Sequence, residues 1–462
     1  MKTVYNLRMG IVLWFCTFCI ACEDFVDVGS PNSRIVSEVV FEKDETAVSA
    51  VVGIYHELYG LTHFASGSQY SVTVTAGLSA DELDAHTFTE TFAEFYQNDI
   101  AIANQANLNI WSTGYNTIYM ANAVLEGLAL SESVTETTKK QLEGEAKFIR
   151  AFIHFYLTNL YGEIPLITTT DYRENALVSK SPLENVYKQI IKDLEDAQGL
   201  LGSTYPASER TRPNRFTAMA LLARVYLYLE NWTDAELLAG EVIHETGMYT
   251  LLDDLEEVFL ANSRETIWQI SPVGVGHTRE GNIFILESVP TLFALSKTIV
   301  NAFETEDKRL LHWVSAFEDG TETYYYPYKY KIKTSTEAPT EYSAVLRYAE
   351  LYLIRAEARA RQGKLADAIA DLDIIRKRAG LPLLKEMHPN ITQPDLLVAI
   401  AQERKVELFA EWGHRWLDLK RTDKADTVLG SYKPGWQPTD VLYPIPEVEL
   451  SKNPSLTQNE GY

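Results

Sequence analysis

The chain is 462 residues long, 46% hydrophobic and 11% aromatic, which excludes global disorder and suffices for a large buried core. Its 41 Lys and Arg stand against 64 Asp and Glu, a formal net charge of −23. That balance argues against nucleic acid and against charge-driven docking on anionic lipid, and says nothing against a neutral ligand.

Lys2 and Arg8 precede an apolar run of twelve residues, Gly10–Ala21 (GIVLWFCTFCIA). The run is too short to span a bilayer as a helix and suits the apolar core of a signal peptide. It ends in Cys19-Ile20-Ala21-Cys22, which resembles a bacterial lipoprotein cleavage site. Residues 1–21 are therefore expected to be a leader, and Cys22 the lipid-bearing first residue of a single mature domain, 22–462. All three cysteines lie at positions 16, 19 and 22, so the mature chain is expected to hold no disulfide and no thiol ligand set.

Residues 23–40 lack periodicity and read as a tether. Glu45–Tyr59 puts Ala47, Val51, Ile54 and Leu58 on one helical face. Residues 60–105 mix Thr, Ser and aromatics and read as loops with short helices. Ile110–Leu128 is helical, carrying Trp111, Tyr115, Ile118, Tyr119 and Leu125. Lys139–Tyr161 is a long helix with Phe148, Phe152, Phe155, Tyr156 and Leu160 at helical spacing, stopped by Gly162 and Pro165. Ser181-Pro182-Leu183-Glu184 reads as a capping box opening Val186–Leu201.

Phe216–Leu229 and Thr233–Glu245 form a helix pair across Glu230-Asn231-Trp232, and the pattern recurs. Ala223–Ala235 aligns with Ala356–Ala368 at a constant offset of 133 residues, Asp234 matching Asp367. Helix, tight turn and a second helix opening with Asp-Ala is tetratricopeptide-like. The fold class is accordingly all-α, with helical hairpins as a scaffold and an irregular, loop-rich insertion carrying short strands over about 251–340. Thr266–Ile270 (TIWQI) alternates like one of those strands. Irregular insertions on rigid frames are where recognition usually sits.

Thr392, with Pro394 and Asp395, caps the approach to Glu403–Arg421 (ERKVELFAEWGHRWLDLKR), which reads as one helix, apolar on most sides and buried. Its charges need partners. Glu411–Arg415 and His414–Asp418 are spaced to pair within the helix, while Glu407 and Glu411 repel, so basic partners from other segments are expected. The cluster could be an acid–base site; a structural ion-pair network is the better reading. The end, Leu442–Pro446 (LYPIP) and then NPSLTQNEGY (453–462), reads as extended and is expected to pack back on the core.

No HExxH, Walker loop, GxSxG elbow or paired CxxC is present, and the nine histidines do not cluster. No metal, cofactor or catalytic residue is expected. The aromatics are more suggestive: His86, Phe88, Phe92 and Tyr96 in a loop-like stretch, with Tyr325 in the insertion. Rings beside polar neighbours suit stacking on sugars or holding a peptide. Core filling is the competing reading for each ring, and Phe92 and Tyr96 at one-turn spacing fit a core helix well.

Several stretches together resemble the SusD-like (RagB/SusD) family of nutrient-uptake lipoproteins. They are the segment from Cys22, GEAKFIRAFIHFYLTNLYGEIPLI (144–167), RPNRFTAMALLARVYLYLENW (212–232), RYAELYLIRAEARARQGKLADAIADLDIIRKRAGLP (347–382), ERKVELFAEWGHRWLDLKR (403–421) and LYPIPEVELSKNPSLTQNEGY (442–462). The resemblance implies a non-catalytic binding protein on the outer membrane, held there by lipid on Cys22. Such a protein captures an oligosaccharide, or in some members a peptide, as a lid over a SusC-like TonB-dependent transporter. It implies framework roles for Arg404, Glu411, Arg415 and Asp418, and makes the segment after Asp81-Glu82 the first choice for ligand contacts. A surface glycosidase and a protein-only adaptor are the rival classes.

Overall fold

The computed structural model describes residues 40–86 and 89–462. The leader, Cys22 and Phe88 lie outside the described residues. The first long helix, α1 (Asp44–Leu58), buries Ala47, Val51, Ile54 and Leu58, the face that the periodicity predicts. The loop-like region that follows holds α2 (Val72–Ser79), strand β1 (Leu83–Ala85) and α3 (Glu90–Gln97). Two long helices come next, α4 (Gln105–Leu130) and α5 (Glu136–Tyr161). Asn104 and Thr135 cap their first turns through side-chain oxygens, and α5 stops where Gly162 takes a φ of 76°.

Helix α6 (Leu183–Leu200) starts differently from the sequence reading. Its N-cap is Pro182, which has no side chain to donate or accept, and no capping box forms. Ser181 instead pairs its backbone with Ile164, its N–H donating to the Ile164 carbonyl at 2.9 Å. The chain is thereby held against the end of α5 before the helix begins.

The repeat is visible bond for bond. Helices α7 (Arg215–Tyr228) and α8 (Trp232–Ile243) turn at Glu230, φ 57°; α9 (Tyr348–Arg361) and α10 (Leu365–Arg378) turn at Gly363, φ 77°. Asn231 N–H donates to the Tyr226 carbonyl and Lys364 N–H to the Arg359 carbonyl, both at 2.9 Å. Ala235 and Ala368 are fully buried where the paired helices touch. Helices α4 to α10 pack each on the next, α8 directly against α9, so the segment between those two is looped out of a continuous helical stack. Glu236 on α8 ties the copies together, accepting from Arg359 at 3.1 Å and Lys364 at 2.6 Å.

The looped-out segment carries β2 (Thr266–Ile270), β3 (Phe293–Leu295), β4 (Val314–Glu318), β5 (Thr323–Pro327) and, at its end, β6 (Ser343–Arg347). Among the described residues these strands and β1 form two-stranded antiparallel sheets, β1–β3, β2–β6 and β4–β5. β2 is buried at all five positions, not only at alternate ones, because it is covered on both faces.

The stretch Glu403–Arg421 is two helices, not one. α11 (Gln393–Glu407) is capped by Thr392 and ends at Glu407; α12 (His414–Arg421) starts after a sharp turn. Ala410, Trp412 and Gly413 there have φ of 51°, 49° and 69°. At Gly413 a Cβ would lie 2.7 Å from the Ala76 Cβ on α2, so the close approach requires glycine. The break goes with a change of ion-pair partners. Glu411 points away from Arg415 and meets Arg347 at 2.8 Å, with Lys329 on its other oxygen. Arg415 pairs with Asp81 at 2.7 Å, and Asp418 pairs with Arg404 at 2.8 Å and Arg421 at 2.7 Å. Neither expected one-turn pair within the helix is the salt bridge that forms.

The expected basic partners from other segments are present. Glu407, fully buried, faces Arg347 at 3.0 Å, Arg309 at 3.1 Å and Arg378 at 2.5 Å. Glu265 takes Arg347 at 2.8 Å and Arg378 at 2.9 Å, and Glu403 takes Arg309 at 2.6 Å. The chain continues through α13 (Ala425–Tyr432) to a tail that packs on α4 and α5, without regular structure at Leu442–Pro446 but helical at Glu447–Lys452. Tyr443 N–H donates to the Leu160 carbonyl at 2.9 Å and Asn107 Nδ2 to the Pro444 carbonyl at 2.8 Å.

Candidate aromatic platform

Strand β1 is fixed at its start by charge. Asp81 is 1% exposed and bridges Arg415 of α12, at 2.7 Å, and Lys405 of α11, at 2.9 Å. Burial pushes its carboxyl up, but Arg415 and Lys405 outweigh burial and hold it down at about 2. Next to it, burial and then the Asp81 charge push Glu82 up to about 8, against the opposing pull of Arg415, Lys329 and Lys405. The backbone of this pair anchors the partner strand: Ser296 N–H donates to the Glu82 carbonyl at 2.8 Å and Ser296 Oγ to the Asp81 carbonyl at 2.6 Å.

From that anchor β1 runs antiparallel to β3, with Asp84 opposite Ala294 and Ala85 opposite Phe293. His86 adds one more rung, its N–H donating to the Leu292 carbonyl at 2.7 Å. Alternation along the strand puts Asp84 and His86 on one face and Leu83 and Ala85 on the other. The inner face is core, where Phe293 meets Phe92 and Phe284 edge-on. The outer face is polar and aromatic. His86, exposed, lies edge-on to Tyr324 with ring centroids 5.5 Å apart. Asp84 accepts from the Tyr432 hydroxyl at 2.6 Å, and burial followed by the Asp84 charge raises the neighbouring Tyr96. Lys433 sits 5.2 Å from the Tyr96 ring centre. A cavity of about 810 Å³ opens beside Tyr96 and Tyr432 and is edged by Gln97, Asp99 and Asp440.

The sequence-selected rings therefore divide. His86 is on the outer face, and Tyr96 lines the adjoining cavity. Phe92 is 3% exposed, packed between Tyr70 and Phe293 at 5.9 and 6.3 Å. Its helix, α3, turns that ring under the sheet, so the ligand role is withdrawn for Phe92 in favour of support from below. Tyr325 is opposite in sense to its neighbour on β5, half-buried against the core, and Tyr324 is the ring that reaches His86. Asp84 and Tyr432 escaped the sequence reading altogether. A hairpin reading of TYYYP would have separated Tyr324 from Tyr325; no local signal joins Asp84 to a tyrosine 348 positions away.

Lys433 is 4% exposed, and its ammonium donates to the Leu78 and Ser79 carbonyls at 2.5 and 2.9 Å. Burial drives it down from 10.5 to about 7, against the opposing pull of Asp81 and Asp84. Between those two values the unfolded chain binds more protons than the folded one, so this group makes stability rise with pH. Urea midpoints taken at pH 7 and 9.5 should show the wild type gaining of order 1–3 kcal/mol more than Lys433→Met. Parallel profiles would mean that Lys433 keeps its ordinary affinity for protons.

Among the described residues no group of three or more His, Cys, Asp or Glu side chains is placed to hold a metal ion. Comparison with known proteins fits the architecture. A family model described as starch-binding and associating with the outer membrane matches residues 24–227, and a SusD family model matches residues 314–462. SusD-like protein P25 of Formosa agariphila is 24% identical, over 99% of both chains. The fold superposes on a SusD superfamily protein from Bacteroides vulgatus with a TM-score of 0.80 at 22% identity, over 91% of this chain and 99% of that one. A laminarin-binding SusD-like protein gives a TM-score of 0.78 at 25% identity, covering 91% of this chain and all of its own. The chain belongs to the SusD/RagB family of non-catalytic, glycan-binding surface proteins associated with the outer membrane.

Proposed function

We propose that this protein captures a neutral oligosaccharide at the cell surface and delivers it to a SusC-like TonB-dependent transporter. In this reading residues 1–21 are cleaved, Cys22 carries the lipid, and 22–462 act as one unit. The observation that carries the reading is the outer face of β1, where His86 and Tyr324 offer ring area and the Asp84–Tyr432 pair offers fixed polar atoms beside it. Rings flanked by hydrogen-bonding groups suit the apolar faces and equatorial hydroxyls of a sugar. Tyr96 extends the contact surface into the adjoining cavity. Phe88, two positions beyond His86 in the sequence, and Tyr325, next to Tyr324 on β5, are further contact candidates in this reading. The relative that binds laminarin makes a β-glucan the first ligand to try. A charge of −23 disfavours strongly anionic glycans. The transporter meets the helical-hairpin side, where Val398 is 70% exposed and Ile374 38%.

The test is calorimetry of the purified protein with laminarin, other neutral glycans, acidic glycans and peptides. His86→Ala with Tyr324→Ala should weaken the glycan bound by the wild type by about 10–100-fold, the range for losing a stacking ring or two. Undiminished glycan binding would remove the platform from the site. Binding of peptides alone would place the protein among peptide-capturing members.

A further inference from the structure

A second aromatic surface lies away from the platform. On α4, Trp111, Tyr115 and Tyr119 follow one another at four-residue spacing and form a single stripe. The segment after α5 crosses in front of it and presents Tyr172. Between them is a groove of about 420 Å³, closed on its far side by the helix Glu447–Lys452. The two outer rings stand free: Tyr119 is 52% exposed and Tyr172 is 77% exposed. Two such rings left in water beside a formed groove make a contiguous exposed aromatic patch, and such patches mark ligand grooves or interaction sites.

The groove is preformed. Tyr115 donates its hydroxyl to the Pro165 carbonyl at 2.9 Å, and Trp111 stands edge-on to Tyr161 at 5.0 Å. The segment bearing Tyr172 is fastened to α4 by Glu126, which accepts from Thr170 N–H at 2.8 Å and Thr169 Oγ1 at 3.0 Å. Asn175 closes the segment on itself, donating to the Thr169 carbonyl at 2.8 Å. On the opposite wall Glu449 and Lys452 pair at 2.9 Å, so the rim carries both signs and no net charge. Neighbouring strand edges that could take up an extended peptide are absent from this lining. Flat rings, phenol hydroxyls, a side-chain amide and a balanced ion pair match a neutral sugar better than a charged or purely apolar guest.

We infer that the Trp111–Tyr115–Tyr119–Tyr172 groove is a second binding site for a neutral oligosaccharide, separate from the β1 platform. The inference rests on the glycan-binding reading and adds a site to it. Two weak sites on one protein let a single long chain be held at both, with an apparent affinity above either alone.

The experiment is affinity electrophoresis of the purified protein in gels containing laminarin, starch, xylan or galactomannan. Four forms are compared: wild type, Tyr119→Ala with Tyr172→Ala, His86→Ala with Tyr324→Ala, and the combination of all four substitutions. The variants change exposed or half-exposed rings, and their melting curves are recorded to show that they fold. On the glycan that retards the wild type, the groove variant should lose about three- to tenfold in affinity and the platform variant about 10–100-fold, and the combined variant should migrate as in a blank gel. The groove is refuted as a sugar site if its variant is retarded like the wild type while the platform variant is not retarded at all; the platform reading then stands. If the groove variant also stops copurifying with an outer-membrane barrel, the groove belongs to a protein partner and the proposal is overturned. Free migration of the wild type in all four gels rejects the glycan reading and this site with it.

Discussion

Glu407→Ala is expected to destabilise the protein by about 3–5 kcal/mol, the range for stripping one member from a buried ion cluster. Glu407 is fully buried and faces three guanidinium groups, from Arg309, Arg347 and Arg378. Burial alone raises its carboxyl, but Arg378, Arg347 and Arg309 outweigh that and hold the group well below the ordinary carboxylate range. Removing it leaves Arg378 with Glu265 alone, and crowds three cations that no longer share an anion. Such a loss takes much of a stability that totals about 5–15 kcal/mol for a folded domain. Equilibrium urea unfolding measures it. A cost below about 1 kcal/mol would mean that the three arginines re-pair easily, and the cluster would not be what holds α10, α11 and the insertion together. The same depressed carboxyls set the acid limit. Glu350, held down at about 2 by Arg224 against its burial, contributes stability above its unfolded value that is lost as pH falls through the folded one.

Asp81→Ala should act on both stability and ligand. It leaves Arg415 and Lys405 facing each other, both largely buried, without their shared anion. The expected cost is again about 3–5 kcal/mol. Unlike Glu407, Asp81 stands two residues before β1, and its carbonyl and that of Glu82 fix β3 through Ser296. Loss of the anchor frees the strand that carries Asp84 and His86. At a temperature where the variant remains folded, glycan affinity should fall about tenfold or more, because the ligand must then order the strand as it binds. Calorimetry of Asp81→Ala beside Glu407→Ala separates the two effects. Equal affinities in both variants would show that the anchor serves stability alone.

The scaffold was legible in the sequence wherever one helix face decided burial. α1 and α5 and the 133-residue repeat are cases in which local pattern and tertiary packing ask for the same thing. The Glu403–Arg421 stretch misleads for a physical reason. Phe409, Ala410 and Trp412 continue the apolar spacing through a turn, where Glu411 pairs with Arg347, 64 residues away, and Gly413 packs closely on α2. The candidate platform was legible as an exposed segment and only partly as a set of residues. The segment after Asp81-Glu82 does carry the exposed His86, but the pleat of β5 selects Tyr324 over Tyr325, and the partner of Asp84 comes from the far end of the chain.

That far end has a consequence for how the molecule is made. Ser79 and Tyr443 share a hydrogen bond of 3.0 Å across 364 residues, and Asp81 meets Arg415 across 334. Asn459 donates to the Tyr161 carbonyl at 2.9 Å and the Tyr443 carbonyl at 2.8 Å, stitching the last residues to the end of α5. The strand that bears the platform therefore cannot settle while the C-terminal fifth of the chain is still missing. Closing loops of this length before their contacts repay the lost freedom makes folding slow. The helical hairpins can form early from local contacts, and the binding surface is among the last features to appear. An emerging chain thus acquires its frame first and its affinity only at completion.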